Sequence, residues 1–425
     1  MEIWCSISEE DLNQKNLDLK KKGFYCNFIL TNLLKYILYH LLNRDAKAEK
    51  DNEDGWHCYK SCLILLRNLS QFSGEAVIDF VFDLIHKHLN DENSKKRESV
   101  ILAFGSILET IHKSKISAVL EGAIQSLIPM FSNDNSKDVR NSICWAFKKI
   151  CQNNAEHLFK MNPETTNNFI KSLIAFLDIE NSKTNKKIIS LTCECLDNLI
   201  KKEYEYYQNN QQEFTNSILT NYYEQLFVSL ISICFNKISA ESKESAFNLG
   251  FSTYNTLIGL TVYSPSNCID FVNSFFPHLI QSLESTLNKA NYDSEKFRAS
   301  QQENLCALIA TTIAPNKVKI DTEKGKYVYE LVKKMFLERG SVFESGISVC
   351  SSLALALGKS FKETLFEFLN FLNVSLNSPD NASLCRNSIN CLSCLIRSLD
   401  YDLEQYLDEL IEKIFFIVNV NLMFL

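Results

Sequence analysis

The sequence predicts an all-α protein, a right-handed α-solenoid superhelix of about eight or nine stacked helix pairs. Three observations predict it. Gly and Pro make up only 17 of 425 residues, about 4% against an average nearer 12%, too few for the tight turns of an all-β fold. Apolar residues recur at three and four. Val100, Phe104, Ile107, Leu108 and Ile111 share one helical face, as do Ile143, Ala146, Phe147 and Ile150. Short breaks rich in Asn, Asp and Ser divide the helical segments: NDEN (90–93), SNDNS (132–136), DIENS (178–182) and NSPDN (377–381). Those residue types cap helices and turn the chain.

The elements follow in order. Residues 1–23 form a polar N-terminal segment, and its start, MEIWCSISEEDLNQK, lacks the basic region and apolar stretch of a secretory signal. Phe24 to Leu42 is the most membrane-like run, but Asn27, Asn32, Lys35 and His40 interrupt it, so no membrane insertion is expected. An acidic loop, 44–55, comes next within DAKAEKDNEDGW (45–56). There Asp45, Glu49, Asp51, Glu53 and Asp54 outnumber Lys47 and Lys50. It is either a solvated loop or a contact for a basic partner, which a mobile acidic segment captures at little ordering cost.

Beyond the loop the segments repeat. HLNDENSKKRESVILAFGSIL (88–108) and MFSNDNSKDVRNSICWAFKKI (130–150) each carry a helix end, an acidic-polar turn, a basic residue and then Ala-Phe. Arg97 and Arg140 hold equivalent places, with Lys187, Lys243 and Arg386 continuing the series in weaker copies. Two helices per unit at a period of roughly 40 to 47 residues is the signature of HEAT or armadillo repeats. One helix pair cannot bury its own apolar face, so neighbours stack into a single solenoid across 1–425. The apolar terminus IFFIVNVNLMFL (414–425) would leave a sticky last face, so the expectation is a fragment of a longer array.

Composition bounds the chemistry. A net charge of −7, from 51 acidic and 44 basic residues, argues against bulk nucleic-acid or anionic-membrane binding. Fifteen cysteines, an odd number placed largely in apolar runs, read as small core hydrophobes in a reduced protein. No phosphate-cradling or nucleophile-elbow motif occurs. Cys391 and Cys394 form a lone C-x-x-C on an apolar helical stretch, and His86 and His88 fall on different helix faces. No metal, cofactor or enzymatic activity is therefore expected. Of three Trp, Trp56 follows the acidic loop and Trp145 lies on the strip Ser142–Trp145–Lys149, offset from the most apolar face. Trp145 is either a core side chain or an exposed platform for a Lys or Arg stem.

The stretch DGWHCYKSCLILLRNLSQF, followed by HKHLNDENSKKRESVILAFGSILE and LIPMFSNDNSKDVRNSICWAFKKIC, resembles the central HEAT repeats of the importin-beta (karyopherin-beta) family. The resemblance continues through SQQENLCALIATTI (300–313), LVKKMFLE (331–338) and LALALGKSFKETLFEFLNFL (353–372). It implies a nuclear transport receptor that wraps the basic segment of the importin-alpha adaptor, or basic cargo, and releases it to the GTP form of Ran. It also implies Phe-Gly nucleoporin binding between outer helices and a place in cytoplasm, nucleus and nuclear pore. Carried over to this sequence, Trp56 and Trp145 match tryptophans that pack on basic side chains, and Glu98 keeps an acidic position. Asn141 replaces an acidic residue, and Glu194 stands where the family has a third Trp. Asp51, Glu53 and Asp54 supply the acidic loop. The amino-terminal repeats with the family's main Ran contact, and the last repeats that complete the adaptor grip, have no counterpart in this sequence. The alternative is another HEAT-repeat scaffold, such as a phosphatase-type scaffold subunit, or a transport receptor without adaptor binding.

Overall fold

The computed structural model describes residues 33–44, 57–73, 75–111, 113–178, 185–236, 243–291, 294–313, 320–338, 342–376, 381–399 and 411–412. Among them there are helices and no strand. The chain divides into two compact units, one of Met1–Glu213 with Ser242–Ser252, the other of Phe214–Glu241 with Thr253–Leu425.

The first unit holds α1 (Leu34–Leu42), α2 (Cys58–Ser73), α3 (Glu75–His88), α4 (Ser94–Ile107), α5 (Lys113–Asn133), α6 (Lys137–Lys160), α7 (Pro163–Ala175) and α8 (Lys186–Asn209). They pair in sequence, and the pairs stack as two layers. The second helices α2, α4, α6 and α8 pack in a row, while α5 and α7 pack in the other layer. The core between them is apolar. Phe131, Phe147, Phe169 and Phe176 link α5, α6 and α7 through stacked and edge-on rings at 4.0–5.5 Å.

The second unit repeats the plan with α9 (Tyr223–Asn236), the second half of α10 (Lys243–Val262), α11 (Ile269–Thr286), α12 (Glu295–Ile313), α13 (Thr322–Glu338), α14 (Val342–Leu357), α15 (Lys362–Leu376) and α16 (Ala382–Leu399). Here α12, α14 and α16 form the row of second helices. Val342–Leu365 is long and apolar enough to cross a membrane by length and composition alone. The stretch is not one helix: Gly358, at φ +53°, breaks it between α14 and α15, a backbone region that costs other residues 1–2 kcal/mol or about that. Phe343, Ile347, Cys350 and Leu353 of α14 are buried in the core.

Five second helices open in the same way. Asn93, Ser136 and Asn185 are N-caps whose side chains accept from backbone N–H groups of α4, α6 and α8; Ser294 and Asn381 do the same for α12 and α16. Such a cap satisfies an otherwise orphaned donor and contributes about 1 kcal/mol. Four residues past the cap stand Arg97, Arg140, Ile189, Arg298 and Cys385, each donating its backbone N–H to the cap carbonyl. The basic slot is real for Arg97 and Arg140. Lys187 and Arg386 do not occupy it, since they fall two and five residues past their caps and are exposed. Arg298, with only 2% exposure, is the arginine of that slot in the second unit.

At Arg97 the slot arginine ties one repeat to the next, and at Arg298 it ties the two helices of one pair. Arg97 donates from Nε and Nη2 to the two carboxylate oxygens of Asp134, both at 2.9 Å, and from Nη1 to the carbonyls of Asp91 and Glu92. Arg298 donates to the Thr286 carbonyl at 3.3 Å and pairs with Glu295. Buried in this way, a guanidinium needs several acceptors, and its planar fork supplies the matching donors. Thirteen cysteines are described, eleven of them buried; burial raises Cys306 and Cys391 to about 12, so both stay as neutral thiols.

Candidate functional site

Trp56, Asp51, Glu53 and Asp54 lie outside the described residues. The other predicted side chains, Glu98, Asn141, Trp145 and Glu194, all sit on second helices of the first unit. Glu98 belongs to α4, Asn141 and Trp145 to α6, and Glu194 to α8. Asn141 and Trp145 are one turn apart on one face of α6.

Trp145 is partly exposed. Its ring rests on the backbone of Gly105 in α4, where a Cβ would stand 2.3 Å from Cζ3 and 2.9 Å from Cε3 of the indole. Lys149, one turn further along α6, places Nζ 5.9 Å from the ring centroid, at the outer limit of a cation–π contact. The side chain is thus neither a core residue nor a free platform. Glycine on the neighbouring helix lets the indole lie flat in the second-helix row, with a cation of the same helix nearby.

Glu98 is almost buried, with 7% exposure, and its Oε2 receives two cations of the same chain. Lys95 Nζ donates to it at 3.1 Å, and Arg44 Nη1 stands 3.1 Å away. Lys95 also donates to Asp138 Oδ2 at 3.0 Å. Burial works to lower the Lys95 pKa, but the hydrogen bonds to Asp138 and Glu98 outweigh it and raise the ammonium above its ordinary value. Arg44 lies with its guanidinium carbon 3.7 Å from the centre of the Tyr59 ring on α2.

Asn141 is 9% exposed, and its Oδ1 accepts from Asn185 Nδ2 at 3.3 Å. The amide therefore joins α6 to the cap of α8. Glu194 keeps 37% side-chain exposure and forms an ion pair with Lys148 of α6. Further along the row, Arg67 of α2 pairs with Glu109, and Asp197 pairs with Lys201 at 2.6 Å. Burial chiefly raises the Asp197 pKa, against the opposing pull of Lys201.

The row is therefore a laced surface rather than a bare acidic one. Glu98, Glu109, Asp138, Glu194 and Asp197 each carry a cation supplied by the chain. Arg44, Tyr59, Gly105 and Lys148 complete this site and carried no motif signal. Only Gly105, an isolated glycine inside a helical pattern, offered a hint of close approach. No group of three or more His, Cys, Asp or Glu side chains arranged to hold a metal ion occurs among the described residues.

Comparison with known proteins places this arrangement in context. A family model described as importin subunit beta-1-like, TPR repeats, matches residues 173–422. A HEAT-like repeat model matches residues 94–150. Importin subunit beta-1 of Schizosaccharomyces pombe is 21% identical over 436 residues, covering 97% of this chain and 47% of that protein. The chain spans about half the length of the curated relatives it matches. A crystal structure of importin beta in an ammonium sulfate condition superposes with a TM-score of 0.82 at 20% identity, over 97% of this chain and 47% of that one. The fold also matches Kap95p in its complex with Nup1 (TM-score 0.78, 18% identity, 98% and 47% covered). A further match is Kap95p in the structure in which it induces the switch loops of RanGDP to adopt the GTP-bound conformation (0.78, 19%, 98% and 48%).

Proposed function

The chain belongs to the importin subunit beta-1-like family, and we propose that it works as part of a nuclear transport receptor, without enzymatic activity. In this reading the second-helix row of α4, α6 and α8 holds the basic segment of an importin-alpha adaptor, or basic cargo. The receptor carries that ligand through the nuclear pore, between cytoplasm and nucleus, under Ran control. The observation that carries the reading is Trp145. An indole laid on a helix glycine, partly exposed on a helix flanked by α4 and α8 with their Glu98 and Glu194, is a stacking surface for Lys and Arg stems. Trp56 and the acidic residues Asp51, Glu53 and Asp54 extend the same ligand chemistry in this proposal. Glu98, Asn141 and Glu194 line the remaining contacts. The complexes of Kap95p with Nup1 and RanGDP support Phe-Gly nucleoporins and Ran as partners of the same class.

A second reading has its own support. Glu98 and Glu194 are already paired with Arg44, Lys95 and Lys148, which weakens their pull on a basic ligand. That favours a transport receptor whose ligand is not the adaptor.

One experiment separates them: binding of a labelled Arg-rich adaptor peptide to the wild-type chain and to Trp145→Ala, read by fluorescence anisotropy across a salt titration. The adaptor reading expects affinity that falls with salt, and a loss of about 1–2 kcal/mol in the variant. A folded chain that fails to bind at low salt leaves the second reading.

A further inference from the structure

Tyr59 and Glu98 stand on neighbouring second helices, and the group between them is a guanidinium from the same chain. Arg44 follows directly on Asn43, the C-cap of α1, and its side chain is only 3% exposed. The guanidinium carbon is 3.7 Å from the Tyr59 ring centroid, and Nη1 is 3.1 Å from Glu98 Oε2. An aromatic face with a carboxylate at its edge suits a planar guanidinium better than a compact ammonium. A guanidinium can lie over the ring and keep its charge beside the acid.

Two further features bear on exchange. Lys95 Nζ already sits 3.1 Å from the same Glu98 oxygen and 3.0 Å from Asp138, so departure of Arg44 does not strand a buried carboxylate. Glu98 also lies seven residues before Gly105, where the Trp145 ring rests. That is about 10 Å along α4, a distance spanned by roughly three residues of extended chain.

We infer that Tyr59 and Glu98 form an arginine socket, that Arg44 fills it in the unliganded chain, and that an arginine of a basic partner segment displaces Arg44 on binding. The identity of the partner rests on the adaptor reading above; the socket does not. Arg44 is then an internal competitor. It lowers affinity for every basic segment and selects those with an arginine about three residues from the side chain that stacks on Trp145.

The test uses the full chain and Arg44→Gln, with helical content checked by circular dichroism. Methylguanidinium at low millimolar concentration is expected to raise the Tm of Arg44→Gln. It should not raise that of wild type or of Arg44→Gln with Glu98→Gln, and methylammonium at equal ionic strength should leave all three unchanged. An arginine peptide is expected to bind Arg44→Gln about three- to tenfold more tightly than wild type, while its all-lysine counterpart gains less. If Arg44→Gln does not fold, Arg44→Lys keeps a cation for Glu98 and loses the planar stack, and a smaller gain for the arginine peptide is expected. Absence of methylguanidinium rescue in a folded Arg44→Gln overturns the socket. Rescue without any gain in peptide affinity overturns the displacement. Rescue with no peptide binding by any form overturns the adaptor reading and leaves the socket standing.

Discussion

The indole of Trp145 lies across Gly105 so closely that a methyl group at residue 105 would stand 2.3 Å from Cζ3. Two helices of adjacent repeats therefore meet through one ring and one absent side chain. Gly105→Ala gains about 1 kcal/mol of helix propensity but forces a large rigid ring to move, an overpacking cost of about 1–3 kcal/mol. The expected net is a destabilisation of about 1 kcal/mol in urea unfolding, with a shift in Trp fluorescence. In a Trp145→Ala background the clash is gone, and the same substitution should stabilise. A destabilisation of equal size in both backgrounds would show that the ring does not set the requirement for glycine.

Arg97 and Asp134 couple neighbouring repeats through a two-pronged ion pair with side-chain exposures of 16% and 5%. Asp134 also accepts from the Ser136 backbone N–H at 2.8 Å, so one carboxylate holds both the next turn and the previous helix. Removing one partner leaves a largely buried charge uncompensated. Asp134→Ala should therefore cost about 3 kcal/mol, more than Arg97→Met, in which the cation is also gone. In a stacked array such a loss falls on the interface between repeats. Hydrogen exchange should accordingly rise in α4 and α5 before it rises in α7. Uniform loss of protection along the chain would contradict this.

What the sequence made legible and what it hid divide along a physical line. The helix pairing, the polar caps and the Arg97 and Arg140 slots are short-range features, set within four or five residues of a cap, and they are where periodicity placed them. Lys187 and Arg386 were misassigned because similar polar turns precede them, while the slot is counted from the cap and an offset of one or two residues turns a side chain outward. Arg298 escaped notice for the converse reason: its turn shares little composition with the others. The charge on Glu98 and Glu194 was visible, but their neutralisation was not, because Arg44 lies 54 residues from Glu98 and Lys148 46 residues from Glu194 in the chain. The exposure of Trp145 depends on Gly105, which sits on another repeat. No reading of α6 alone contains it.

Gln211 offers a test of backbone strain. It follows the C-cap of α8 at φ +53°. Its N–H donates to the Gln208 carbonyl and that of Gln212 to the Tyr207 carbonyl, both at 3.0 Å, the paired bonds that close a helix through a left-handed residue. A side chain there costs about 1–2 kcal/mol, against the smaller entropy penalty of glycine in the unfolded chain. Gln211→Gly is expected to stabilise the protein by about 0.5–1 kcal/mol, measured as a higher urea midpoint. Gln211→Val, β-branched at a positive φ, should lower it.

Asp91 contributes to the acid limb of the first unit. Its Oδ1 accepts from the Asn93 backbone N–H at 3.0 Å, and its Oδ2 meets His88 Nδ1 at 3.1 Å and Lys96 Nζ at 3.2 Å. The Asn93 bond first, then His88 and Lys96, hold the carboxyl at about 2, against an ordinary 3.8. A group depressed on folding contributes stability that is fully present above its unfolded pKa and lost as pH falls through the folded one. The window is therefore from about pH 4 down to about pH 2. Asp91→Asn keeps an acceptor for the Asn93 N–H but cannot titrate. The difference in urea midpoint between wild type and Asp91→Asn should be constant above that window and shrink steadily within it. Added salt screens the Lys96 contribution but not the backbone bond, so most of the depression should survive in high salt. A difference that does not change with pH, or that vanishes with salt, would mean that surface charge rather than the Asn93 N–H controls this carboxyl.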